Sequence, residues 1–525
     1  MEEVQKSGQE SQFLSKTGPS DTQKSPDYAN HYSNLWSWRS RRFRVAIILA
    51  LALSVEGFMR SNINMAMVCM VNKTASGVPD QAKTHQISEE CVSAVDGKRN
   101  TSVLDPVIIS NADVVLTKKE QAYVLTSFYF GGLFMVIPGG YLCDRFGPKQ
   151  LVFIGAVINV VGTIMSPEIV RYFGAWALIF IRILMGCGQV VLVPCMNVLV
   201  ARWFPLKEKS TAIAITTTGN QVSVIVALLL TAYLCQWTML GGWPSAFYVY
   251  AVMGVFLLIS WLYYIDDTPE NPRYCPEEEL DLIRADGHMA KLKGEKIVTP
   301  WGKVVTSFSV WAIALSSFSQ NFMNVGTIVY LPAYYENILG LKLSRNGIMS
   351  ALPFVVQLIT KILFTWWADY LKSRGIMTLN GVTKLFNSLA SFGAGVCYIL
   401  IAYCDCNTAN VAIFLATMAV GLSSGFIPGY NTSVVCVAPK YTSSVASFSR
   451  FFAQVASVAA PYMIGLVVVD DTKEEWKMAF FIMAFILIST GVAFQIWGTG
   501  NIEEWAKPRR SLEETEAQKP LETSN

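Results

Sequence analysis

The segment Gly140-Tyr-Leu-Cys-Asp144-Arg145-Phe-Gly147-Pro-Lys149 is the most informative stretch of this sequence. It directly follows a long apolar run. A related segment, Trp367-Ala-Asp369-Tyr-Leu-Lys372-Ser-Arg374, follows an apolar run in the second half of the chain. Both put an aspartate at the end of a predicted helix and basic residues just after it. Because the pattern occurs once in each half, we predict a duplicated structural unit.

Apolar runs of membrane-spanning length fill the chain on either side of these segments. Of the 525 residues, 52% are hydrophobic and only 15% are charged, whereas soluble domains carry about 25% charged residues. A helix of about 20 apolar residues crosses the roughly 30 Å of membrane hydrocarbon. We therefore predict an all-α membrane protein with twelve transmembrane helices in two six-helix halves. The twelve runs are 45–70, 121–143, 150–168, 175–199, 211–234, 243–265, 310–330, 346–367, 382–403, 411–436, 445–469 and 478–497.

Polar stretches divide the chain into regions. The first residues are rich in Ser, Gln, Lys and Glu, which is typical of disordered segments. The central loop contains Glu278-Glu-Leu-Asp-Leu-Ile283, which matches an acidic dileucine sorting pattern but also an amphipathic helical stretch, the interpretation we favour. The predicted regions are a disordered tail at 1–44, a first half at 45–265 with a long loop at 71–120, a central loop at 266–309, a second half at 310–498 and a tail at 499–525.

The basic residues of the short loops predict the orientation, because arginine and lysine concentrate on the cytoplasmic side of membrane proteins. This predicts a multi-pass protein with both termini and the central loop in the cytoplasm. The loop 71–120 then faces the lumen or the exterior, where its sequons predict N-glycosylation of Asn72 and Asn100. The basic residues are Arg39, Arg41, Arg42, Arg44, Arg145, Lys149, Arg202, Lys207, Lys209, Lys372 and Arg374.

The segment 140–149 resembles the motif G-x-x-x-D-R-x-G-x-[RK] that the major facilitator superfamily carries between its second and third helices. The resemblance implies the fold of that superfamily, in which two halves rock around a site at the membrane midplane. It also implies a gating role for Asp144, Arg145 and Lys149, and for Asp369 in the second half, since such an aspartate can cap a helix and pair with arginine. The alternative is that these residues only anchor helix ends.

A narrower resemblance covers nearly all of the membrane core. Several segments are similar to the sodium-phosphate cotransporter, sialin and vesicular glutamate transporter family. That resemblance implies transport of phosphate, urate-like organic anions, acidic sugars or acidic amino acids, driven by sodium, protons or voltage. The segments are Arg60-Ser-Asn-Ile-Asn-Met-Ala-Met-Val-Cys-Met-Val-Asn72, Ile137-Pro-Gly-Gly-Tyr141, Arg182-Ile-Leu-Met-Gly186, Trp243-Pro-Ser-Ala-Phe-Tyr248, Thr299-Pro-Trp301, Ala438-Pro-Lys-Tyr441, Glu474-Glu-Trp476 and Glu504-Trp-Ala506.

Three charged residues interrupt the predicted spans of the first half. An ionisable side chain near the bilayer centre costs about 2.5–3.5 kcal/mol and therefore faces a partner or a water-filled cavity. Glu56 and Arg60 lie four residues apart on one helix face, so they either neutralise each other or Arg60 meets a substrate anion, as the resemblance implies. Arg182 has no acidic residue within two turns, and its guanidinium suits carboxylate and phosphate alike. Arg60 and Arg182 are the only arginines that we expect deep within spans.

Uncharged residues fill positions that the resemblance links to substrate. Gln189 lies two turns after Arg182, where the proton-coupled and vesicular members carry glutamate. Gln320 lies where vesicular glutamate transporters carry arginine, and Leu125 where they carry histidine. These departures argue against a vesicular glutamate transporter and against proton coupling through Gln189. Asn324, in the seventh span, either lines a cavity or joins neighbouring helices.

Two further features leave alternatives open. Lys361, in the eighth span, either extends toward the lipid headgroups or faces a cavity. Four prolines inside spans either loosen helices for transport motions or form inert kinks. They are Pro138, Pro194, Pro353 and Pro428.

The resemblance and the interior arginines together predict secondary active transport of small anions, inorganic phosphate or organic anions, by alternating access and driven by an ion gradient or voltage. The alternative is a sialin-like, proton-coupled carrier of acidic sugars or acidic amino acids in endolysosomal or secretory vesicles, with Glu56 taking the proton. A transporter-shaped receptor is a third hypothesis, disfavoured by the intact gating motif. We expect no enzyme, since the three histidines lie in predicted loops or tails and no catalytic or metal-binding cluster is evident.

The partners follow from the same features. We expect a monomer surrounded by lipid in the plasma membrane or in an endolysosomal or vesicular membrane, with no cofactor and with Na+ or H+ as coupling ion. The net charge of +3 is spread along the chain, so no nucleic acid is expected.

Most of the eleven cysteines lie in apolar runs and are expected to be buried thiols. Cys91, Cys404 and Cys406, in predicted outside loops, either form a disulfide or stay free.

Overall fold

The computed structural model describes residues 40–71, 113–237, 241–270, 279–280, 283 and 300–506, and these residues are almost entirely helical. Short 3-10 helices at Cys406–Thr408, Pro439–Tyr441 and Glu504–Ala506 connect longer ones. The α-helices are α1 (Arg41–Met70), α2 (Lys118–Phe146), α3 (Pro148–Val190), α4 (Leu192–Trp203), α5 (Leu206–Gln236), α6 (Pro244–Tyr264), α7 (Trp301–Thr306), α8 (Phe308–Asn337), α9 (Leu343–Ser373), α10 (Leu379–Ile401), α11 (Ala409–Leu422), α12 (Thr432–Cys436), α13 (Thr442–Val467) and α14 (Lys473–Trp497).

Helix α3 contains two membrane passages because the chain turns back at Gly174, where φ is 74° and ψ is −165°. Both ends of the resulting hairpin meet the same segment. The carbonyl of Asp266 accepts a hydrogen bond from Trp203 Nε1 at 2.9 Å, and the Asp266 carboxylate lies 3.4 Å from Lys149 Nζ. Arg171 lies at the other end of the hairpin, 2.7 Å from Asp113. We refer to the end of the bundle with Lys149 and Trp203 as the basic end.

Twelve passages result, as the sequence predicted. Eight helical segments in the described part of the chain are long and apolar enough to cross a membrane, and one of them is the hairpin Pro148–Trp203. Helices α1, α2 and α8 complete the set. Helices α1 and α8 carry polar side chains in their middle turns, which lowers their hydropathy but also identifies them as candidates for lining a site.

The junction between α2 and α3 explains the glycine of the segment 140–149. Gly147 ends one helix and precedes the next with φ of 83°. A Cβ atom at Gly147 would lie 2.8 Å from a carboxylate oxygen of Asp267. The same carboxylate accepts a hydrogen bond from the backbone N–H of Lys149 at 2.8 Å. The motif therefore fixes the start of α3 against the end of α6, and a side chain at Gly147 would interfere with both the backbone conformation and the contact.

The central loop closes the N-terminal end of α1. Glu279 is fully buried and accepts hydrogen bonds from Ser40 Oγ at 2.7 Å, from the backbone N–H groups of Arg41 and Arg42 at 3.0 and 3.1 Å, and from Arg42 Nε at 3.0 Å. A carboxylate at this position satisfies free N–H groups and complements the helix dipole. Ile283 is buried as well, and the three described residues of this segment, 279, 280 and 283, are helical. These residues fit the helical packing interpretation rather than an accessible sorting signal.

The two halves contact each other from the end opposite the basic end to the middle of the bundle. At that opposite end Lys118 forms an ion pair with Asp471. In the middle, Gln454 Nε2 on α13 donates a hydrogen bond to the carbonyl of Tyr129 on α2 at 3.0 Å. These contacts join α2 of the first half to α13 and the residues that follow it in the second half.

Toward the basic end the facing helices become exposed. Helix α2 is largely buried from Ala122 to Tyr129, whereas Phe134 and Tyr141 are each 65% exposed. On α9, Trp366 is 66% exposed. The ion pair and the hydrogen bond between the halves lie at the opposite end and in the middle of the bundle. We infer that the halves open toward the basic end, with the polar residues of the middle facing that opening.

Candidate functional site

Four cationic side chains of the described helices lie at least two turns from a helix end or break. They are Arg60, Arg182, Lys361 and Arg450, and the carboxylate at a comparable depth is Glu56. Cations in a medium of low dielectric constant need a counter-charge. The excess of positive charge makes the middle of this bundle suited to a negatively charged ligand.

Arg182 is held between two helices by weak contacts. Its side chain is only 2% exposed, and its guanidinium lies 4.9 Å from the ring centroid of Phe128. Gly186 allows α3 to approach α2 closely at this point, because a Cβ atom there would lie only 1.9 Å from the carbonyl oxygen of Phe128. Nη2 donates a long hydrogen bond of 3.4 Å to the carbonyl of Arg60, and Nε has no partner among the described residues. Arg182 thus retains hydrogen-bonding capacity for a ligand.

Arg60 does not pair with Glu56, although their spacing allowed it. Arg60 Nη2 instead donates to Oδ1 of Asn220 on α5 at 3.1 Å, and its side chain is half-buried. Glu56 is buried, and neither of its carboxylate oxygens has a hydrogen-bond partner in the part of the chain that the structure describes. The ion-pair alternative is therefore not realised in this conformation, and both charges remain available to other partners.

The fourth passage is broken next to Gln189. Helix α3 ends at Val190 and α4 begins at Leu192. Pro194 has no backbone N–H group and therefore cannot donate the helical hydrogen bond to the carbonyl of Val190, which explains the break. Gln189 is half-buried at this point, two turns from Arg182.

Polar side chains of the second half form a hydrogen-bonded network around α8. Gln320 accepts a hydrogen bond from the hydroxyl of Tyr430. Asn324 Oδ1 accepts from Gln357 Nε2 at 3.4 Å, and Gln357 also donates to Ser423 Oγ at 3.0 Å. The network connects α8, α9 and the tenth passage, and it fixes the orientation of both predicted residues.

The tenth passage is broken as well. After α11 the chain forms a 3-10 turn at Ser423–Phe426 and a π-helical turn at Ile427–Asn431, in which Gly429 has a non-helical ψ of −120°. Pro428 and Pro194 therefore interrupt corresponding passages, the fourth of each half. Interrupted helices at corresponding positions of two repeats are typical of transporter substrate sites. Of the four prolines, these two lie at interruptions: Pro194 follows the single residue Val191, which keeps helical backbone angles, and Pro428 precedes the non-helical Gly429.

Arg450 was not predicted as a site residue. Only Arg60 and Arg182 were expected deep within spans, and this expectation was wrong. Arg450 lies near the start of the apolar run 445–469, where arginines commonly reach the headgroups. In the structure α13 begins at Thr442, so Arg450 lies more than two turns inside it. Asn220 and Tyr430, which contact Arg60 and Gln320, were also missed because contacts between helices cannot be derived from spacing along one helix.

The predicted gating residues lie at the basic end. Arg145 is exposed, with its guanidinium 5.6 Å from the ring centroid of Phe146. Asp369 forms an ion pair of 2.7 Å with Lys372, one turn later on α9. Lys149 contacts the segment after α6, as described above. The side chain of Asp144 and the sequons at Asn72 and Asn100 lie outside the described residues.

Two cysteines of apolar runs are bonded rather than free. Cys69, at the end of α1, and Cys235, at the end of α5, form a disulfide. The expectation of buried thiols was therefore wrong for this pair, because the ends of both helices meet opposite the basic end. Of the loop cysteines that are described, Cys404 is free and Cys406 is disulfide-bonded. The sequon loop with Cys91 lies outside the described part.

Comparisons with known proteins agree with this architecture. The "Putative inorganic phosphate cotransporter" of Drosophila melanogaster is 27% identical over 490 residues, covering 92% of this chain and 89% of that protein. Vesicular glutamate transporter 1 of Bos taurus is 28% identical over 478 residues, covering 90% and 80%. These relatives confirm the family resemblance. A bacterial homologue of the human lysosomal transporter Spinster, in an inward-facing and occupied conformation, superposes with a TM-score of 0.60 at 13% identity over 87% of this chain and 96% of that one, which supports the fold.

The superfamily follows from the match to a family model. The model described as Major Facilitator Superfamily matches residues 49–461, which include most of both halves. This match agrees with the twelve passages, the two halves and the motif at 140–149. It also confirms that the protein is a membrane transporter rather than an enzyme. The chain belongs to the Major Facilitator Superfamily.

Proposed function

We propose that the protein carries a small anion, inorganic phosphate or an organic anion, across the membrane by alternating access. Arg60 and Arg182 are the cations that bind it. The observation that carries this proposal is the buried guanidinium of Arg182, whose described contacts are one long hydrogen bond and an aromatic ring. Its Nε–H group remains unpaired within the described structure. A buried arginine with so few partners is best compensated by an anionic ligand.

Chemistry favours a carboxylate or a phosphate at this position. The guanidinium offers several N–H donors in a planar arrangement that matches two oxygens of one anion. Arg60 is half-buried and Asn220 orients its guanidinium. We propose that the anion enters between these two arginines. Gln189, Gln320 and Asn324 then supply uncharged hydrogen-bonding groups that select among anions of different shape.

The relatives support an anion as the substrate class. One is named as an inorganic phosphate cotransporter and another as a vesicular glutamate transporter. Both names refer to anions, although of different chemistry. We propose the same broad class for this chain and no single member of it.

Coupling to an ion gradient is assigned to Glu56. A carboxylate without a hydrogen-bond partner in the described interior needs a proton, a sodium ion or a neighbouring cation as counter-charge. Arg60 lies one turn away and is bound to Asn220 in this conformation. We propose that Glu56 exchanges one counter-charge for another as the halves move. This keeps the sialin-like, proton-coupled alternative as a second candidate, since Gln189 cannot titrate.

The orientation and the gate complete the proposal. The basic end is the cytoplasmic end, by the charge rule, and both termini are cytoplasmic. The opening toward the basic end then corresponds to a state that exchanges substrate with the cytoplasm. Asp144, Arg145, Lys149 and Asp369 act in closing that end. The membrane is the plasma membrane or a vesicular or endolysosomal membrane, and the vesicular relative supports the second.

Reconstituted transport tests the proposal. The purified protein in proteoliposomes is supplied with labelled phosphate, urate, sialic acid or glutamate, while sodium, pH and voltage gradients are imposed separately. We expect uptake of at least one anion that depends on one gradient, with loss of uptake in Arg182→Ala. Arg345→Gln is the matched control, because it removes a half-buried arginine from the first turn of α9, away from the site. Equal uptake by Arg182→Ala and the control protein would contradict the role of Arg182.

A further inference from the structure

Arg450 is an interior cation of the second half to which nothing above assigns a function. Its side chain is exposed to solvent, although Arg450 lies more than two turns inside α13. Both conditions hold for a residue that lines a water-filled cavity open at one end. A lipid-facing position would instead leave the guanidinium in hydrocarbon, at considerable cost. Arg450 therefore faces the central opening.

The position of Arg450 along α13 relates it to the arginines of the first half. Gln454 lies four residues later on the same helix face and donates its hydrogen bond to the carbonyl of Tyr129. The side chain of Tyr129 lies within electrostatic range of both Arg60 and Arg182. Four residues of helix span about 6 Å. Arg450 therefore lies one helical turn closer to the basic end than the contact between Gln454 and Tyr129, where the second half comes near Arg60 and Arg182.

Two uncharged polar groups are placed near Arg450, the amide of Gln454 one turn later on the same helix and the hydroxyl of Tyr430. Tyr430, at the break of the tenth passage, lies within electrostatic range of Arg450. Tyr430 donates its hydrogen bond to Gln320 on α8. Arg450 makes no ion pair with an acidic residue of the described helices. Its charge is left for a ligand to compensate, as is that of Arg182 on the other side of the opening.

We propose that Arg450 is the substrate anchor of the second half, and that the substrate is a dianion shared between Arg450 and the pair Arg60 and Arg182. The proposal rests on the anion transport proposed above and specifies its substrate class. The two groups of cations lie on different halves, so closing the basic end brings like charges together. A dianion that contacts both groups removes this repulsion and favours closure, whereas a monoanion leaves one group uncompensated. The dianion is either hydrogen phosphate or a dicarboxylate, and Tyr430 and Gln320 offer it neutral hydrogen bonds.

The test measures binding to the purified full-length protein, without a need for transport. Thermal unfolding is followed while sodium phosphate, sodium succinate or sodium acetate is titrated at constant ionic strength. An apparent affinity for each anion is obtained from the dependence of the midpoint on concentration. Phosphate and succinate separate the two sources of a dianion, and acetate is the monoanionic reference. The variants are Arg450→Gln, Arg450→Lys and Arg182→Gln, with Arg345→Gln as the control that removes a charge of the same half outside the site.

We expect at least one dianion to bind the unmodified protein and the Arg345→Gln control more tightly than acetate does. Arg450→Gln should weaken the binding of that dianion about ten- to a hundredfold, as expected for a lost charge-assisted hydrogen bond. Its affinity for acetate should stay unchanged, and Arg450→Lys should recover part of the loss because it keeps the charge. The unfolding midpoints of Arg450→Gln and Arg450→Lys without ligand are measured as well, so that a loss of binding can be told apart from a loss of folding.

Three other outcomes would each refute a different part of the reasoning. If Arg182→Gln loses anion binding while Arg450→Gln keeps its preference for the dianion, the role of Arg450 is refuted and the proposed function stands. If Arg182→Gln binds every anion normally, the proposed anchor of the first half is wrong. If none of the three anions stabilises the unmodified protein, the dianion class is refuted.

Discussion

Replacing Arg182 by methionine should separate a role in binding from a role in folding. The change removes the charge and keeps a long, flexible apolar side chain next to Phe128. In the structure Arg182 is 2% exposed, with one hydrogen bond of 3.4 Å and a ring at 4.9 Å as its described contacts. A cation over an aromatic ring contributes about 2 kcal/mol when desolvated, whereas burying an ion costs several kcal/mol. The native contacts therefore do not compensate the buried charge.

The two measurements should consequently move in opposite directions. We expect Arg182→Met to unfold at the same temperature as the unmodified protein or at a higher one, because replacing buried charges by apolar residues is often neutral or stabilising by about 1–4 kcal/mol. Uptake of the transported anion into proteoliposomes should fall at least about tenfold in apparent affinity, the effect of losing a charge-assisted hydrogen bond. Arg182→Lys keeps the charge without the planar fork, so intermediate uptake is expected.

A purely structural Arg182 would give the reverse pattern. In that case the methionine variant would unfold at a lower temperature, while the protein that remains folded would transport with normal affinity. This result would refute the reasoning from unsatisfied buried charge. Comparing the variants at equal amounts of inserted protein excludes differences in expression.

Four further predictions concern the gate and the topology. Asp144→Asn should leave the protein inserted but slow its transport, and unchanged turnover at equal amount would leave only the anchoring role. Gly147→Ala should destabilise the protein by about 1 kcal/mol or more in thermal unfolding, because of its positive φ and its approach to Asp267; Gly302→Ala, at a glycine with open space around it, is the control. Replacing both Asn72 and Asn100 by Gln should abolish any mass shift that a glycosidase removes, and a surviving shift would contradict the sequon assignment. Epitope tags at both termini should be inaccessible in intact cells, so labelling of either from outside would overturn the topology.

The number and order of the helices could be predicted from the sequence because hydropathy is a property of each run by itself. The same holds for the depth of Glu56, Arg60 and Arg182, since their positions within apolar runs can be read from the sequence. The break at Pro194 was also accessible, because a proline cannot continue the hydrogen-bond ladder. The sequence did not decide whether this kink takes part in transport motions or is inert.

Contacts between helices were not accessible in the same way. Spacing allowed an ion pair between Glu56 and Arg60, and the structure instead gives Arg60 a partner on α5. Tyr430 meets Gln320 only because the tenth passage is unwound at that level. Arg450 was missed because its distance from the end of an apolar run says little about where the helix starts. The chemistry of the site is thus set by tertiary packing, which one sequence without its relatives does not specify.

The disulfide between Cys69 and Cys235 bears on which end of the helix bundle is exposed to an oxidising compartment. Disulfides persist where the surroundings are oxidising, as outside the cell or within the secretory pathway, and are rare where glutathione keeps thiols reduced. The bonded ends of α1 and α5, and the bonded Cys406, lie at the end remote from Lys149 and Trp203. In the proposed topology these cysteines lie on the non-cytoplasmic side, where a disulfide persists, so this topology is consistent with disulfide chemistry as well as with the charge rule. The disulfide also means that α1, which carries Glu56 and Arg60, is covalently tied to α5, which carries Asn220, so these residues travel as one body when the halves move.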